Sequence, residues 1–469
     1  MSPPQAQGSV DAPLDQPAPV TAGDIVAVLE TARTRTLAIC DQHTEADQRA
    51  QHSPLMSPMV WDLAHIGNYE ELWLLRELDG RAPVDPTLDD LYNAFEHPRW
   101  ERPSLPILGP DEARAYDASV RAAVLDLLAT VDLDTPPTGP DDRRGRLLHQ
   151  GFVYGMVAQH EHQHCETLLA TVQLMGPNAV PPPGTTPAPR PAATAGTGAA
   201  PTDDATADLV RHDGGRVVIG TDEGWAYDNE RPPHVVELAP YALGRDPVTN
   251  RQWRAFVEDG GYDDERLWTD AGWAWRREAG LEAPQFWSRA GAGAWSVERF
   301  GRRLDLDALA DEPVQHVCCH EADAFCRWSG TRLPTELEWE AAARWDPAKG
   351  RARCYPWGDD APTAAHANLG QRHDGPAAVG SFPAGASPLG VRGLIGDVWE
   401  WTASTFTPHP GYVTFPYAEY SEVFFGDEYR VLRGGSWAAD PVAVRGAFRN
   451  WDYPIRRQIF CGLRVARDA

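Results

Sequence analysis

Residues 160–169 read HEHQHCETLL and lie within a longer run that has the periodicity of an amphipathic helix. His160 and His164 are four residues apart in this run. On an α-helix that spacing rotates the second imidazole by only about 40° and raises it by about 6 Å, so both rings can reach one ion. His162 faces elsewhere. The stretch therefore predicts a helix that carries two ligands of a metal site.

Two imidazoles make an incomplete site, so we expect a third ligand from another helix. The best candidate is His65 in MVWDLAHIG, residues 59–67, on a helix predicted to begin with Ser57 as N-cap and Pro58 at N1. One histidine on an apolar helical face is usually a packed core residue, and only the three together favour a metal. Three neutral imidazoles suit catalytic Zn(II) as well as Fe(II), so these residues leave the ion open.

Helical periodicity continues through the first part of the chain and predicts a four-helix bundle, a fold that commonly builds metal sites from facing side chains. The predicted helices cover residues 24–40, 57–72, 111–131 and 143–175. Residues 1–20 are rich in proline, glutamine and aspartate and are expected to be a disordered tail. The predicted metal-binding bundle therefore spans residues 21–175.

The composition changes sharply after the bundle. Residues 176–208 are rich in proline, alanine and threonine, which is typical of an interdomain linker. Short β-like segments and turns with tryptophan and glycine follow, with helices expected around 250–258 and 335–344. We therefore predict a second domain at 209–469 with an irregular α+β fold, whose loops are expected to carry binding residues.

The overall composition excludes several functions. A net charge of −26 disfavours nucleic acid and anionic membranes as partners. Lys349 is the only lysine and follows no glycine-rich phosphate loop, which argues against Schiff-base enzymes and P-loop ATPases. The seven cysteines show no CxxC spacing, and we find neither a signal peptide nor a run of about 18 apolar residues. These features predict a soluble, cytoplasmic protein with reduced thiols.

A second candidate site lies near the C-terminus, where residues 448–457 read FRNWDYPIRR. Its arginines, carboxylate, amide and indole could hold a zwitterionic amino acid through forked arginine–carboxylate bonds and aspartate–ammonium bonds. Taken alone, this stretch is more readily explained as a structural ion-pair loop. Arg99 alone suggests a surface arginine, and Tyr417 and Tyr420 alone suggest packing residues.

Six fragments in a fixed order give more specific information. They are WDLAHIG (61–67), HEHQH (160–164), LPTELEWE (333–340), GDVWEWT (396–402), RGGSW (433–437) and RNWD (449–452). Together they closely resemble the ergothioneine-biosynthesis sulfoxide synthases, and the resemblance covers nearly the whole chain except the tail and the linker. That family joins a DinB-like four-helix bundle to a C-terminal α+β domain with the formylglycine-generating-enzyme (C-type-lectin-like) fold. Each fragment alone is weak evidence for the family, but the order of the fragments together with the histidine helix is highly specific.

The resemblance implies a mononuclear non-haem Fe(II) enzyme, an oxidoreductase that uses O2. It would join the thiol sulfur of γ-glutamylcysteine to the imidazole of hercynine (Nα-trimethylhistidine) and form γ-glutamyl-hercynylcysteine sulfoxide in ergothioneine biosynthesis. The implied iron ligands are His65, His160 and His164. We expect the enzyme to act as a monomer.

The resemblance also implies roles for residues around the iron. Gln163 would contact the hercynine imidazole. Asn450 and Trp451 would lie near the trimethylammonium group, where an aromatic face suits a quaternary cation. Tyr417 matches the family's catalytic tyrosine, which donates a proton and steers turnover away from plain thiol dioxygenation, and Tyr420 would be its neighbour.

The identity of the thiol depends on three further positions. Arg99, Asp452 and Arg456 match the residues that grip γ-glutamylcysteine in one subgroup of the family, whereas another subgroup takes free cysteine. Their presence favours the dipeptide, with free cysteine as the alternative. Formylglycine generation itself is not expected, because Val465 stands where that activity needs a copper-binding cysteine.

Two hypotheses from other functional classes stay open. One is a Zn(II)-dependent, DinB-like thiol transferase that uses the same three histidines without O2. The other is a non-enzymatic binding module in which the histidines are structural. Oxygen dependence tests the first, and the effect of removing a histidine on folding tests the second.

Overall fold

The computed structural model describes residues 20–190, 202–289, 291 and 293–469. The expected disordered tail therefore lies outside the described residues except for Val20, and so does part of the expected linker, residues 191–201. Helices fill the first part of the chain, while strands, short helices and loops fill the second, which confirms the predicted α plus α+β class. The domain boundaries stay predictions. Among the described residues, no helix is long and apolar enough to cross a membrane.

The first part of the chain is a helical bundle. Its helices are α1 (Ala22–Cys40), α2 (Glu45–Arg49), α3 (Met59–Glu70), α4 (Thr87–Leu91), α5 (Pro110–Leu128), α6 (Arg143–Leu148) and α7 (Phe152–Leu174). Helix α3 continues directly into a π-helix, Glu71–Glu77, a rare conformation that is frequently found at functional sites. Side chains from α1, α3, α5 and α7 share one apolar core, so the four long helices pack as a bundle.

The predicted start of the second helix is wrong in detail. Pro58, and not Ser57, occupies the N-cap of α3, and no side chain in the described part of the protein caps that end. The Ser57 hydroxyl instead accepts a hydrogen bond from Arg102 at 2.6 Å. The hydroxyl therefore contacts a guanidinium that is far away in the sequence, a contact that the rules for helix capping do not predict.

The predicted continuous helix 143–175 is also wrong, because it is broken into α6 and α7. Gln150 and Gly151 lie between them with φ of 54° and 68°, in the left-handed region that ends a helix. The indole N–H of Trp225 donates to the Gln150 carbonyl at 2.9 Å. A contact from the second domain therefore satisfies a backbone group that the break leaves free.

A buried ionic network joins the four long helices. Arg33 on α1 lies 2.9 Å from Glu70 on α3 and 2.8 Å from Glu161 on α7. Arg121 on α5 lies 2.6 Å from Glu70 and 3.1 Å from Glu161. Burial would raise the pKa of Glu161, but the two arginines outweigh it and lower that pKa. The neighbouring Asp117 has its pKa raised well above the usual range, chiefly by burial.

The second part of the chain is built from small sheets. The strands are β1 (Leu209–His212), β2 (Gly215–Ile219), β3 (His234–Leu238), β4 (Tyr241–Gly244), β5 (Trp287–Arg289), β6 (Trp295–Arg299), β7 (Arg302–Asp305), β8 (Trp345–Asp346), β9 (Arg351–Ala352), β10 (Trp399–Phe406), β11 (Gly426–Arg433), β12 (Asn450–Asp452), β13 (Cys461–Leu463) and β14 (Ala466–Asp468). One four-stranded sheet has the order β12-β11-β10-β13. Its only parallel pair is β10 with β13, and Trp399 lies opposite Cys461 there. This sheet places β12 at an edge.

Helices complete the second domain. They are α8 (Asn250–Glu258), α9 (Asp270–Glu278), α10 (Cys319–Trp328), α11 (Glu336–Arg344) and α12 (Ala418–Ser421). The helices expected around 250–258 and 335–344 are present as α8 and α11. Helices α9 and α10 were not predicted.

Helix α7 is also the main contact between the two domains. Glu166 on α7 accepts the indole N–H of Trp399 at 2.8 Å and the Ser436 hydroxyl. Gly155 lies against the Trp225 ring so closely that a Cβ there would be 2.2 Å from a ring carbon. The helix that carries two of the three histidines is therefore held by both domains.

We expect Gly67→Ala to destabilise the protein. A Cβ at Gly67 would lie 1.9 Å from Asp117 Oδ1 and 3.1 Å from the Tyr116 ring, so α3 and α5 would have to separate. The expected loss in the free energy of unfolding is about 1–3 kcal/mol, measured by denaturant unfolding. Gly23→Ala on α1 is the control, since its Cβ would meet only Thr21 Oγ1 at 3.6 Å. Equal stability of the two variants would contradict the proposed close approach.

Candidate metal centre and substrate cavity

The structure brings His65, His160 and His164 together. One ligating nitrogen from each histidine lies within 4.8 Å of the others. His65 comes from α3 and the other two come from α7, and the ring centroids are 4.5–5.1 Å apart. Three converging imidazoles can hold one metal ion and leave further coordination positions for substrates.

Two of the three imidazoles are oriented by groups behind them. His65 Nδ1 lies 2.8 Å from the carbonyl oxygen of Tyr92, and His164 Nδ1 lies 3.1 Å from Asp62 Oδ1. A hydrogen bond donated from Nδ1 leaves Nε2 unprotonated, which is the usual arrangement around metal-binding histidines. Among the described residues, His160 Nδ1 has no hydrogen-bond partner. Its ring instead stacks on Tyr69, with centroids 3.7 Å apart and planes 14° from parallel.

The surroundings of His65 and His160 favour neutral rings. Burial lowers the pKa of His65 well below its ordinary value, and the neighbouring His164 lowers it further. Burial and the two other imidazoles lower the pKa of His160 in the same way. Neutral imidazole is the form that binds a metal ion, so these two histidines need not lose a proton at neutral pH before binding.

A cavity of about 1120 Å³ lies between the bundle and the second domain and includes the histidine cluster. All eleven candidate residues from the sequence line it: His65, Arg99, His160, Gln163, His164, Tyr417, Tyr420, Asn450, Trp451, Asp452 and Arg456. Positions separated by up to nearly four hundred residues therefore meet in one space. Sites at domain interfaces of this kind are common for small ligands.

One wall of the cavity is formed by tyrosines. Tyr417 immediately precedes α12, and its hydroxyl lies 2.8 Å from the hydroxyl of Tyr69. Tyr420 on α12 stacks on Tyr227 with centroids 4.0 Å apart. Burial raises the pKa of Tyr417 well above its ordinary value, so its hydroxyl keeps its proton at neutral pH. The segment is anchored because Asp228 accepts the Ser421 hydroxyl and the backbone N–H of Phe415.

An adjoining wall lies on and after the edge strand β12. The Trp451 ring stacks on Phe406 at 4.0 Å and meets Tyr420 edge-on at 5.8 Å, so it is fixed in place. Asp452 lies 3.2 Å from Arg456, whose guanidinium also donates to the carbonyl of Leu55 in the bundle at 3.1 Å. Arg99 is exposed at the wall of the same cavity. This end therefore carries more positive than negative charge.

Several residues of the site were not predicted. Tyr69, Asp62, Tyr92 and Tyr227 contact the candidate residues, but no role was predicted for them. Two signals were present in the sequence: Asp62 lies in the fragment WDLAHIG, and Tyr69 lies four positions after His65 and so on the same helical face. Although His162 points away from the cluster, it is buried, and its ring lies 3.7 Å from Asp440 of the second domain.

Comparisons with known proteins match both domains. Residues 28–168 match the DinB superfamily, and residues 196–469 match the sulfatase-modifying factor enzyme 1-like domain. A protein of Mycolicibacterium thermoresistibile named hercynine oxygenase is 50% identical over 95% of both chains. A protein of the same name from Mycobacterium tuberculosis is 48% identical over 94% of this chain and 97% of its own. The formylglycine-generating enzyme of Streptomyces coelicolor is 34% identical over 60% of this chain and 96% of its own.

We expect His160→Ala to weaken metal binding while the protein stays folded. The change removes a converging imidazole and leaves the ionic network of Glu161 intact. The affinity for Fe(II) under argon and for Zn(II), measured by isothermal titration calorimetry, should fall by more than about 100-fold. Loss of a ligand is expected to cost more than loss of a residue that only hydrogen-bonds to a ligand.

His162→Asn is the matched control on the same helix, and its metal affinity should stay close to that of the parent. Circular dichroism reports whether either variant unfolds. Unfolding of His160→Ala, or an equal loss of affinity in both variants, would support the structural role of these histidines and contradict the metal site.

Proposed function

The chain belongs to the hercynine oxygenase family of O2-using oxidoreductases, and we propose that it joins the sulfur of γ-glutamylcysteine to the imidazole of hercynine and oxidises that sulfur to the sulfoxide. The proposed product is γ-glutamyl-hercynylcysteine sulfoxide, an intermediate of ergothioneine biosynthesis. The observation that carries the proposal is the single cavity in which three converging histidines, a fixed indole, a half-buried tyrosine and an arginine-rich end meet.

Fe(II) is the proposed cofactor, held by His65, His160 and His164. Three neutral nitrogen donors that converge from two rigid helices fit this ion, which would supply O2 activation and a binding position for the thiolate. The ligands add no negative charge, so the full charge of the ion remains available to an anionic thiolate. Tyr92 and Asp62 keep two of the imidazoles in the orientation that binding requires.

Hercynine would bind between the metal ligands and β12. Gln163 precedes His164 on α7 and lies close to Tyr420 and Tyr227, where an amide can hydrogen-bond to an imidazole. Trp451 offers an aromatic face to the trimethylammonium group at the other end of the molecule. Its stacking on Phe406 fixes that face before the ligand arrives, which lowers the entropy lost on binding. Asn450 adds a polar contact beside it.

γ-Glutamylcysteine would bind at the arginine-rich end. The dipeptide carries two carboxylates and one ammonium group, which match Arg99, Arg456 and Asp452 in sign and number. Free cysteine carries only one carboxylate and cannot engage all three residues while its sulfur reaches the metal. The charge pattern therefore favours the dipeptide over the amino acid.

Tyr417 is the proposed proton donor of the reaction. Its raised pKa keeps the hydroxyl protonated at neutral pH, so a proton is available inside the cavity. A proton delivered there would favour carbon–sulfur bond formation over plain oxidation of the thiol. Tyr420, edge-on to the Tyr417 ring at 6.2 Å, would hold the ring in place.

The reaction is tested with protein loaded with Fe(II) under argon and then given hercynine and γ-glutamylcysteine with or without O2. We expect an oxygen-dependent product with the mass of both substrates joined, less two hydrogens, plus one oxygen atom, measured by mass spectrometry. His160→Ala should give none. Transfer that proceeds with Zn(II) and without O2 would contradict the proposal, and so would oxidised thiol as the only product.

The thiol preference is tested by Arg99→Gln. Because Arg99 is exposed, its loss should leave folding unchanged but remove one charged hydrogen bond to a carboxylate. We expect KM for γ-glutamylcysteine to rise about 10- to 150-fold, with a much smaller change for hercynine. Arg81→Gln is the control, since Arg81 pairs with Asp79 at the surface and does not line the cavity. A preference for free cysteine in the parent protein would overturn the assignment of the dipeptide.

A further inference from the structure

Tyr69 occupies a position between the metal ligands and the proposed proton donor. It lies at the end of α3, four residues after His65, and is 8% exposed. One face of its ring covers His160, and its hydroxyl lies 2.8 Å from that of Tyr417. The bundle therefore contacts Tyr417 at the one atom that would release a proton.

We propose that Tyr69 is a positioning residue that donates a hydrogen bond to the oxygen of Tyr417 and thereby leaves the hydrogen of Tyr417 directed into the cavity. The inference rests on the proposed function, in which Tyr417 donates a proton. The distance between the two hydroxyls indicates a hydrogen bond but not which hydroxyl donates it. The proposal assigns that direction.

The direction of this hydrogen bond follows from the number of hydrogens that each tyrosine hydroxyl can donate. A phenol has one hydrogen to donate, and its oxygen can accept. If Tyr417 donated to Tyr69, its single hydrogen would be engaged away from the substrates. If Tyr69 donates, the Tyr417 hydrogen stays free, and the same bond stabilises the oxygen of Tyr417 as its proton leaves. Only the second arrangement is compatible with proton donation by Tyr417.

The surroundings of Tyr69 hold it rigidly enough for this role. Its ring is stacked on His160, and the next residue, Glu70, is fixed by Arg33 and Arg121 at 2.9 and 2.6 Å. Trp73, in the π-helix, packs against the Tyr417 ring with centroids 4.8 Å apart. The bundle thus holds the hydroxyl of Tyr417 through one residue and its ring through another, although Tyr417 belongs to the second domain.

Tyr69→Phe tests the proposal because it removes the hydroxyl and keeps the ring stacked on His160. We expect the ratio of sulfoxide product to plainly oxidised thiol to fall about three- to tenfold, while metal content and both KM values stay unchanged. Tyr154→Phe is the matched control: the Tyr154 hydroxyl is buried in the same bundle and has no hydrogen-bond partner within the described ranges. Its product ratio should equal that of the parent.

A double variant separates positioning from general structural damage. In a Tyr417→Phe background the additional change Tyr69→Phe should alter the product ratio no further, because its effect passes through Tyr417. A further fall in the double variant would overturn the proposal. If Tyr417→Phe alone changes the products and Tyr69→Phe does not, the positioning role fails while the proposed function stands. If Tyr417→Phe changes nothing, both fail.

A measurement without turnover tests the direction of the bond. Ultraviolet resonance Raman difference spectra of metal-free protein, with Tyr417 alone ring-deuterated minus unlabelled protein, isolate the signal of Tyr417 and report whether its oxygen accepts a hydrogen bond. We expect an acceptor signature that disappears when the same difference is taken in the Tyr69→Phe background. A donor signature in the parent would overturn the proposal.

Discussion

The buried ionic network of Arg33, Arg121, Glu70 and Glu161 is the constraint on which the site depends. Its two positive and two negative charges balance, and burial raises the pKa of the neighbouring Asp117 well above its usual range. Breaking such a pair strands a charge in the core at a cost of about 3–5 kcal/mol. Glu70 adjoins Tyr69 and Glu161 adjoins His160, so the network sets the relative position of the two helices that present the imidazoles.

The two domains contribute different parts of one centre. The bundle supplies the converging histidines, the rigid backing of Tyr69 and Trp73, and the polar side chains of Gln163 and Arg99. The second domain supplies Tyr417 and the groups on and after β12. Glu166 links the two by accepting from Trp399 and Ser436, and burial raises the pKa of this carboxyl.

Rules that consider only residues close together in the sequence predicted the features that such residues determine. The spacing of His160 and His164 indicated their common direction, and the change in composition separated helical from irregular structure. At the helix break, the Gln150 carbonyl accepts a hydrogen bond from Trp225, and the Ser57 hydroxyl accepts one from Arg102. Both partners are distant in the sequence, so neither contact can be predicted from a short segment. For the same reason Tyr69 was missed, since its importance comes from a partner 348 residues away. The roles of Arg99, Asp452 and Arg456 came from family resemblance, and the structure adds that they share a cavity.

The exposed arginine at the cavity wall has a consequence for how ligands arrive. A protein with a net charge of −26 repels anions at long range, and an acidic dipeptide would approach it slowly in dilute salt. Within about one Debye length, roughly 8 Å in physiological salt, the positive charge of Arg99 offsets part of that repulsion. Net charge and local charge then act at different ranges: the protein as a whole repels an anion at a distance, and Arg99 attracts it only when it is close to the cavity.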